Sequence, residues 1–162
     1  LHFDGEALCS APTIAVLVDL LTRHGKALRA LFETNPRCQR LGTWPRDVRR
    51  LAARQDFRAL DWTAARAALA ETSIIKYCDF NLLNLVEATP GKHTFEVRIL
   101  PVHLDPEPIL EAAGFFAALL EWSIAAGGDD RPIPTRLAQL VELLPLPEAS
   151  RRHWLQRLAR RG

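Results

Sequence analysis

Residues 93–100, His-Thr-Phe-Glu-Val-Arg-Ile-Leu, alternate polar and apolar side chains, whereas most of the 162-residue chain around them repeats its apolar residues at helical spacing. One period cannot substitute for the other, so the chain must combine a strand with helices. In an extended segment Phe95, Val97 and Ile99 point one way, and Thr94, Glu96 and Arg98 the other. That places a carboxylate and a guanidinium about 7 Å apart on one face of a strand. The other strand-like residues lie just upstream: 73–77 and 80–87 are rich in β-branched and aromatic residues, and TPGKH at 89–93 supplies a turn. We expect strands at 73–77, 80–87 and 93–100, with the last two paired antiparallel.

Helices account for the rest. Ser10 is a candidate cap and Pro12 suits a first turn; Ile14, Leu17, Val18, Leu21, Leu28, Leu31 and Phe32 then form a stripe, predicting a helix over 11–33 that Asn35-Pro36 stops. A loop is expected over 36–44, a short Arg-rich helix over 45–55, and a second short helix capped by Asp61 and running to Glu71. Asp105-Pro106-Glu107 begins another helix. Its expected buried face is Ile109, Leu110, Ala113, Phe116, Ala117, Leu120 and Ile124, and Gly127-Gly128 its end. A further helix carries Leu137, Leu140, Val141 and Leu144, and a last one runs from Pro147 to Arg161. The expected class is α+β, a small antiparallel sheet backed by several helices, within residues 1–162 as one domain or domain fragment. Phe95, Val97, Phe116, Leu120, Leu17 and Leu21 are expected among the most buried residues.

Charge narrows the partners. With 21 Lys+Arg against 19 Asp+Glu the net charge is +2, too small to argue for nucleic acid or an anionic membrane. Residues 148–162 carry five arginines against Glu148, but Trp154, Leu155 and Leu158 make this an amphipathic helix with a solvated basic face. Residues 14–21 are too short to span a bilayer and include Asp19, and the opening Leu1-His2-Phe3-Asp4 has no signal-peptide character. Cys9, Cys38 and Cys78 form no CxxC pair and sit in no histidine cluster, so a reducing cytoplasm is expected. Phosphate-binding glycine loops and the HExxH and GxSxG motifs are absent from the sequence. A nucleotide would therefore be held by side chains and a metal.

Two further polar groups stand out. His2 and Asp4 share one face of the opening residues and are both able to bind a metal, although a turn at Asp4-Gly5-Glu6 is the plainer reading. In Lys76-Tyr-Cys-Asp-Phe-Asn81-Leu-Leu-Asn84 the polar groups lie among apolar neighbours, so some must face a pocket or another strand. Within a strand Asn81 and Asn84 have opposite parity, and at most one faces the side of Glu96 unless a bulge intervenes. Lys76 suits a phosphate, or else snorkels at the surface.

The segments HFDGEAL, TNPRCQRLG, KYCDFNLLNL and KHTFEVRILPVHLDPEPILEAAGFFAALLEW together resemble the amidoligases, members of the carboxylate-amine ligase superfamily that includes glutamine synthetase and glutamate-cysteine ligase. The resemblance covers roughly residues 1–124. Its best motif is the Glu-x-Arg strand followed by a proline and an Ala-rich helix. It implies a partial glutamine-synthetase-like fold whose concave sheet binds ATP and Mg²⁺, with phosphoryl transfer to a carboxylate and capture of the acyl phosphate by an amine. Carried over by position, Glu96 and His2 become metal ligands, Arg98 and Lys76 catalytic, and Asn81 with Arg98 nucleotide-binding. Members of that family carry further acidic ligands upstream of the HFD segment. The resemblance therefore implies the C-terminal part of a longer ligase, inactive as residues 1–162 alone. The competing reading is a non-catalytic helical interaction module whose Glu96–Arg98 pair is structural. The two differ in whether the polar face of 93–100 converges with His2 on a concavity or is solvated or covered.

Overall fold

The computed structural model describes residues 1–37, 41–87, 91–129 and 131–160. Three short strands, β1 (His2–Asp4), β2 (Phe80–Asn81) and β3 (Thr94–Val97), form an antiparallel sheet in the order β1-β3-β2. Eight α-helices are described: α1 (Ala11–Leu31), α2 (Arg46–Ala52), α3 (Gln55–Arg58), α4 (Trp62–Ala70), α5 (Leu83–Glu87), α6 (Pro106–Asp129), α7 (Leu137–Leu143) and α8 (Glu148–Ala159). The class is α+β, with helix predominating.

Local chemistry explains the helix starts. The Ser10 hydroxyl accepts from the Thr13 N–H, and the Asp61 carboxylate accepts from the Ala64 N–H at 2.8 Å, so both expected caps form. The ends differ from expectation. Helix α1 stops at Leu31, earlier than 33, because Glu33 adopts a left-handed φ of 54° and the Thr34 N–H returns to the Arg29 carbonyl. Helix α6 continues past Gly127-Gly128 to Asp129. A Cβ on Gly127 would lie 2.8 Å from the Thr13 nitrogen, so this glycine permits close approach of α6 to the start of α1 and does not end the helix. Helix α8 ends at Ala159; Arg161 lies outside the described residues, as does part of the 89–93 turn.

Two expected strands are not formed as drawn. Residues 73–77 form no strand: the Ser73 N–H and hydroxyl both donate to the Asp47 carboxylate at the start of α2, which ties the head of this segment to a helix. Those hydrogen bonds from Ser73 hold the Asp47 carboxyl below its ordinary pKa. The 80–87 strand shrinks to two residues, because the Asn81 side-chain oxygen accepts the Leu83 N–H and the chain turns directly into α5.

The apolar face of β3 meets the helices. Phe95, Val97 and Ile99 are buried, as are Leu17, Leu21, Phe116 and Leu120. Helices α1 and α6 run antiparallel, with Gly127 against Thr13 at one end and Phe32 against Phe115 and Phe116 at the other. The face that α6 buries is Ala112, Phe115, Phe116, Ala118, Leu119, Leu120, Trp122, Ser123 and Ala126, so Phe116 and Leu120 of the expected stripe are inside, whereas Ile109, Leu110 and Ala117 are exposed. A helix apolar nearly all round leaves its inward face to its neighbours. By length and composition α6 would also cross a membrane, a property core helices share, and half of its most apolar stretch is buried here. Aromatic rings continue through the core: Phe116 lies 5.0 Å from Phe32, 5.5 Å from Phe115 and 6.1 Å from Phe80, while Trp154 of α8 lies 5.0 Å from Phe115. Two basic residues of α8 are structural: Arg157 donates to the Leu31 carbonyl at the end of α1, and Arg151 to the Leu144 and Leu146 carbonyls after α7.

Buried His24 holds its ring against the Pro134 carbonyl at 2.9 Å, and burial lowers its pKa despite that hydrogen bond. The unfolded chain then takes up a proton at higher pH than the folded one. Stability is expected to fall as pH drops below about 6.5 and to be fully present above it. Urea denaturation at two pH values should show this dependence weakened in His24→Gln relative to the native chain. Phe116→Ala should cost about 3–5 kcal/mol by the same measurement, whereas exposed Leu110→Ala should stay within about 0.5 kcal/mol.

Candidate functional site

The register of the sheet assembles the polar cluster. Glu96 sits on the central strand and is paired across one side with His2 and across the other with Asn81. Directly opposed residues project to the same face, so an imidazole and a carboxamide flank the carboxylate. Asn81 Nδ2 donates to Glu96 Oε2 at 3.0 Å, and His2 Nε2 lies 3.6 Å from Oε1. Arg98 follows on the same face, its Nε also 3.6 Å from Oε1, while its Nη1 donates to the Lys76 carbonyl. The main chain holds this arrangement in place, since the Arg98 N–H donates to the Asp79 carbonyl and extends the β2–β3 ladder by one bond.

These five residues, Glu96, Arg98, His2, Lys76 and Asn81, line one open cleft of about 660 Å³. The polar face of β3 is neither flatly solvated nor covered: Glu96 is 21% and Arg98 27% exposed at the side chain, against 58% for His2. The Lys76 ammonium lies 5.3 Å from the Tyr77 ring centre at the exposed edge.

Asn84 also reaches this face, against the parity expected of a strand. Its Nδ2 donates to Thr94 Oγ1 at 3.0 Å, and His2 Nδ1 lies 3.3 Å from the same oxygen. Parity fails because α5 begins between the two asparagines and swings Asn84 back over the sheet. Glu87, at the end of α5, and Lys92 complete the lining. Glu87 is missed when 80–87 is read as a strand, and the signal that could have found it is Asn81 as a helix-initiating residue. Asp4 turns away from the metal-binding role considered for it and accepts the Glu6 N–H.

The donor set can be tested against Mg²⁺, which takes oxygen ligands and keeps several waters, relying on one or two carboxylates plus substrate phosphates. Glu96 and Glu87 are the acids in the lining, and no group of three His, Cys, Asp or Glu gathers among the described residues. Among the described residues Glu96 Oε1 has no partner closer than 3.6 Å, and it suits a single contact to a hydrated ion. An imidazole nitrogen suits Mg²⁺ less well than an oxygen does, and both ring nitrogens of His2 turn toward protein oxygens. His2 is therefore better matched to orienting Glu96 than to ligating the ion.

Cys9 and Cys78 carry free thiols, both pushed up in pKa by burial, and Cys38 lies outside the described residues. No protein-family model, curated protein or solved structure matches this chain.

Asn81 is the pivot of the cluster, buried and bonded to both Glu96 and the start of α5. Asn81→Ala leaves the Leu83 N–H and one carboxylate oxygen unpaired, and should cost about 1–3 kcal/mol by chemical denaturation. A neutral outcome would show that the amide does not link the two.

Proposed function

We propose that the cleft on the open face of the sheet belongs to an ATP- and Mg²⁺-dependent ligase that joins a carboxylate to an amine, as the resemblance to amidoligases implies. The observation that supports this reading is the convergence of Glu96, Arg98, His2, Lys76 and Asn81 on one concavity. Bound nucleotide and ion would supply the transferable phosphoryl group and the charge that activates it. The chain's own residues then divide the work of positioning. Arg98, fixed by the Lys76 carbonyl at Nη1 and by Glu96 at Nε, has further N–H groups that would bind phosphoryl oxygens. Lys76 adds a mobile point charge at the edge of the cleft. Glu96 offers one oxygen to the ion while Asn81 and His2 hold its plane.

The same contacts favour one competing reading. Arg98 ties Lys76 and Glu96 together, and this is what a structural pair in an interaction module would do. The two readings separate on the full-length protein. Under the ligase reading, Glu96→Gln and Arg98→Lys each lower Mg²⁺-dependent ADP release, measured over panels of carboxylates and amines, by about a hundredfold or more. Their stability then changes by no more than about 1 kcal/mol. Under the structural reading melting temperature falls in both variants, and the native protein itself shows no Mg²⁺-dependent ADP release. Full turnover in Glu96→Gln ends the metal-ligand assignment, and a native protein that binds no nucleotide in the presence of Mg²⁺ overturns the ligase reading itself.

A further inference from the structure

Helix α6 and the segment that leads into α8 leave a groove of about 500 Å³ between them. Its α6 wall is Leu110, Gly114, Ala117 and Glu121, at positions i, i+4, i+7 and i+11 of one helix face, a strip about 16 Å long. Pro145, Pro147 and Ala149 line the other side, and the buried rings of Phe115 and Trp154 lie beneath. The middle of the strip is low. A Cβ on Gly114 would meet nothing within 4 Å, so another backbone can come close to α6 there.

The apolar side chains that the fold leaves outside collect at this groove. Of the seven large ones exposed among the described residues, Val102, Leu104, Ile109 and Leu110 fall in the nine residues that run into α6, and Leu143 ends α7 just before Pro145. Val102 and Leu104 are 94% and 98% exposed, so neither serves the core. Apolar side chains concentrated in this way on a folded surface mark a place where another molecule packs.

Charge specifies the partner. Residues 99–130 contain six acids and no Lys or Arg, and the groove repeats that bias, with Glu111 and Glu121 in its lining and no Lys or Arg. Glu121 is exposed, and Glu111 keeps 34% of its side chain exposed while lying 3.6 Å from His153 Nε2. The two acids stand about 15 Å apart along the helix axis, a span suited to two cations on one elongated partner. Anionic membranes and nucleic acids are repelled by the same carboxylates. A second copy is a poor fit as well: its α6 would bring like charges, and its basic helix α8 already commits Trp154 to the core.

We propose that this groove docks an amphipathic helix of a partner protein, its apolar face against Leu110, Ala117 and Pro147 and its lysines or arginines on Glu111 and Glu121. A strip that is apolar, low in the middle and acidic toward both ends is filled by a helix whose apolar face is flanked by cations. The groove shares no lining residue with the Glu96 cleft, and the proposal is independent of both readings of that cleft.

The probe is a fluorescein-labelled peptide of about 14 residues, with leucines at helical spacing and lysines between them. Titration with the protein is expected to raise its anisotropy saturably, with a dissociation constant of about 10–100 μM that weakens as salt is added. Ala117→Trp, at an exposed position, should fill the groove and weaken binding by about tenfold or more at unchanged melting temperature. Glu111→Gln combined with Glu121→Gln leaves the wall its shape, and should weaken binding by about tenfold and flatten the salt dependence. Glu142→Gln, which removes an exposed acid of α7 outside the lining, should change nothing. Equal binding of a peptide in which leucine and lysine strictly alternate, or of a leucine–glutamate helix, overturns the proposal. So does native affinity in the Glu111→Gln, Glu121→Gln double variant. A native protein that sediments as a dimer, and as a monomer once Ala117→Trp is introduced, assigns the groove to a second copy and overturns it likewise.

Discussion

Phe116 carries the interaction on which the rest of the structure depends. Its ring touches Phe32 at the end of α1, Phe115 beside it on α6, and Phe80 on β2, and through Phe80 the stack reaches Phe95 on the central strand. One cluster of rings thereby joins the helical layer to the sheet. Trp154 extends it to α8, so segments far apart in the chain share one apolar core. Aromatic rings suit this role because each buries a large area and edge or tilted contacts add to that burial. At the far end of the same helix pair, Gly127 allows the backbones of α1 and α6 to meet.

Because the apolar side of β3 is committed to that core, its polar side has to face outward, and the cleft is the direct consequence. The strands are too short for a broad sheet, yet their register needs only one position to matter. Glu96 opposes His2 on one neighbour and Asn81 on the other. A carboxylate on a partly exposed face would be loosely held if left to solvent. Here an amide hydrogen bond at 3.0 Å and two cationic or protonatable groups at 3.6 Å restrict it. The ring cluster also underlies the second concavity, since Phe115 and Trp154 lie beneath the groove between α6 and α8, whose lining is apolar and acidic.

Much of this was legible along the chain, and the places where it was not have identifiable causes. Alternation at 94–98 placed Glu96 and Arg98 on one face, and the caps at Ser10 and Asp61 placed α1 and α4, because each signal is local. Residues 73–77 and 82–87 have strand-like composition and form no strand. Side chains took their backbone donors, Asp47 at Ser73 and Asn81 at Leu83, and β propensity is weak against such local competition. The inward face of α6 was only partly placed, because a helix with apolar residues all round has no preferred face until it has neighbours.

The sequence by itself determined the class, the helix starts other than those of α3 and α5, the polar and apolar sides of β3 and the residue types available for chemistry. Those depend on backbone preferences and on side-chain periods of 2 and 3.6, which are properties of a few neighbouring residues. Only the tertiary structure decided that His2 and Asn81 stand on either side of Glu96, that Asn84 and Glu87 join them, and that α6 shares a groove with the segment leading into α8. Register between strands and the meeting of a helix with a distant loop are set by how the aromatic core packs. That packing is a property of the whole chain, and no local window contains it.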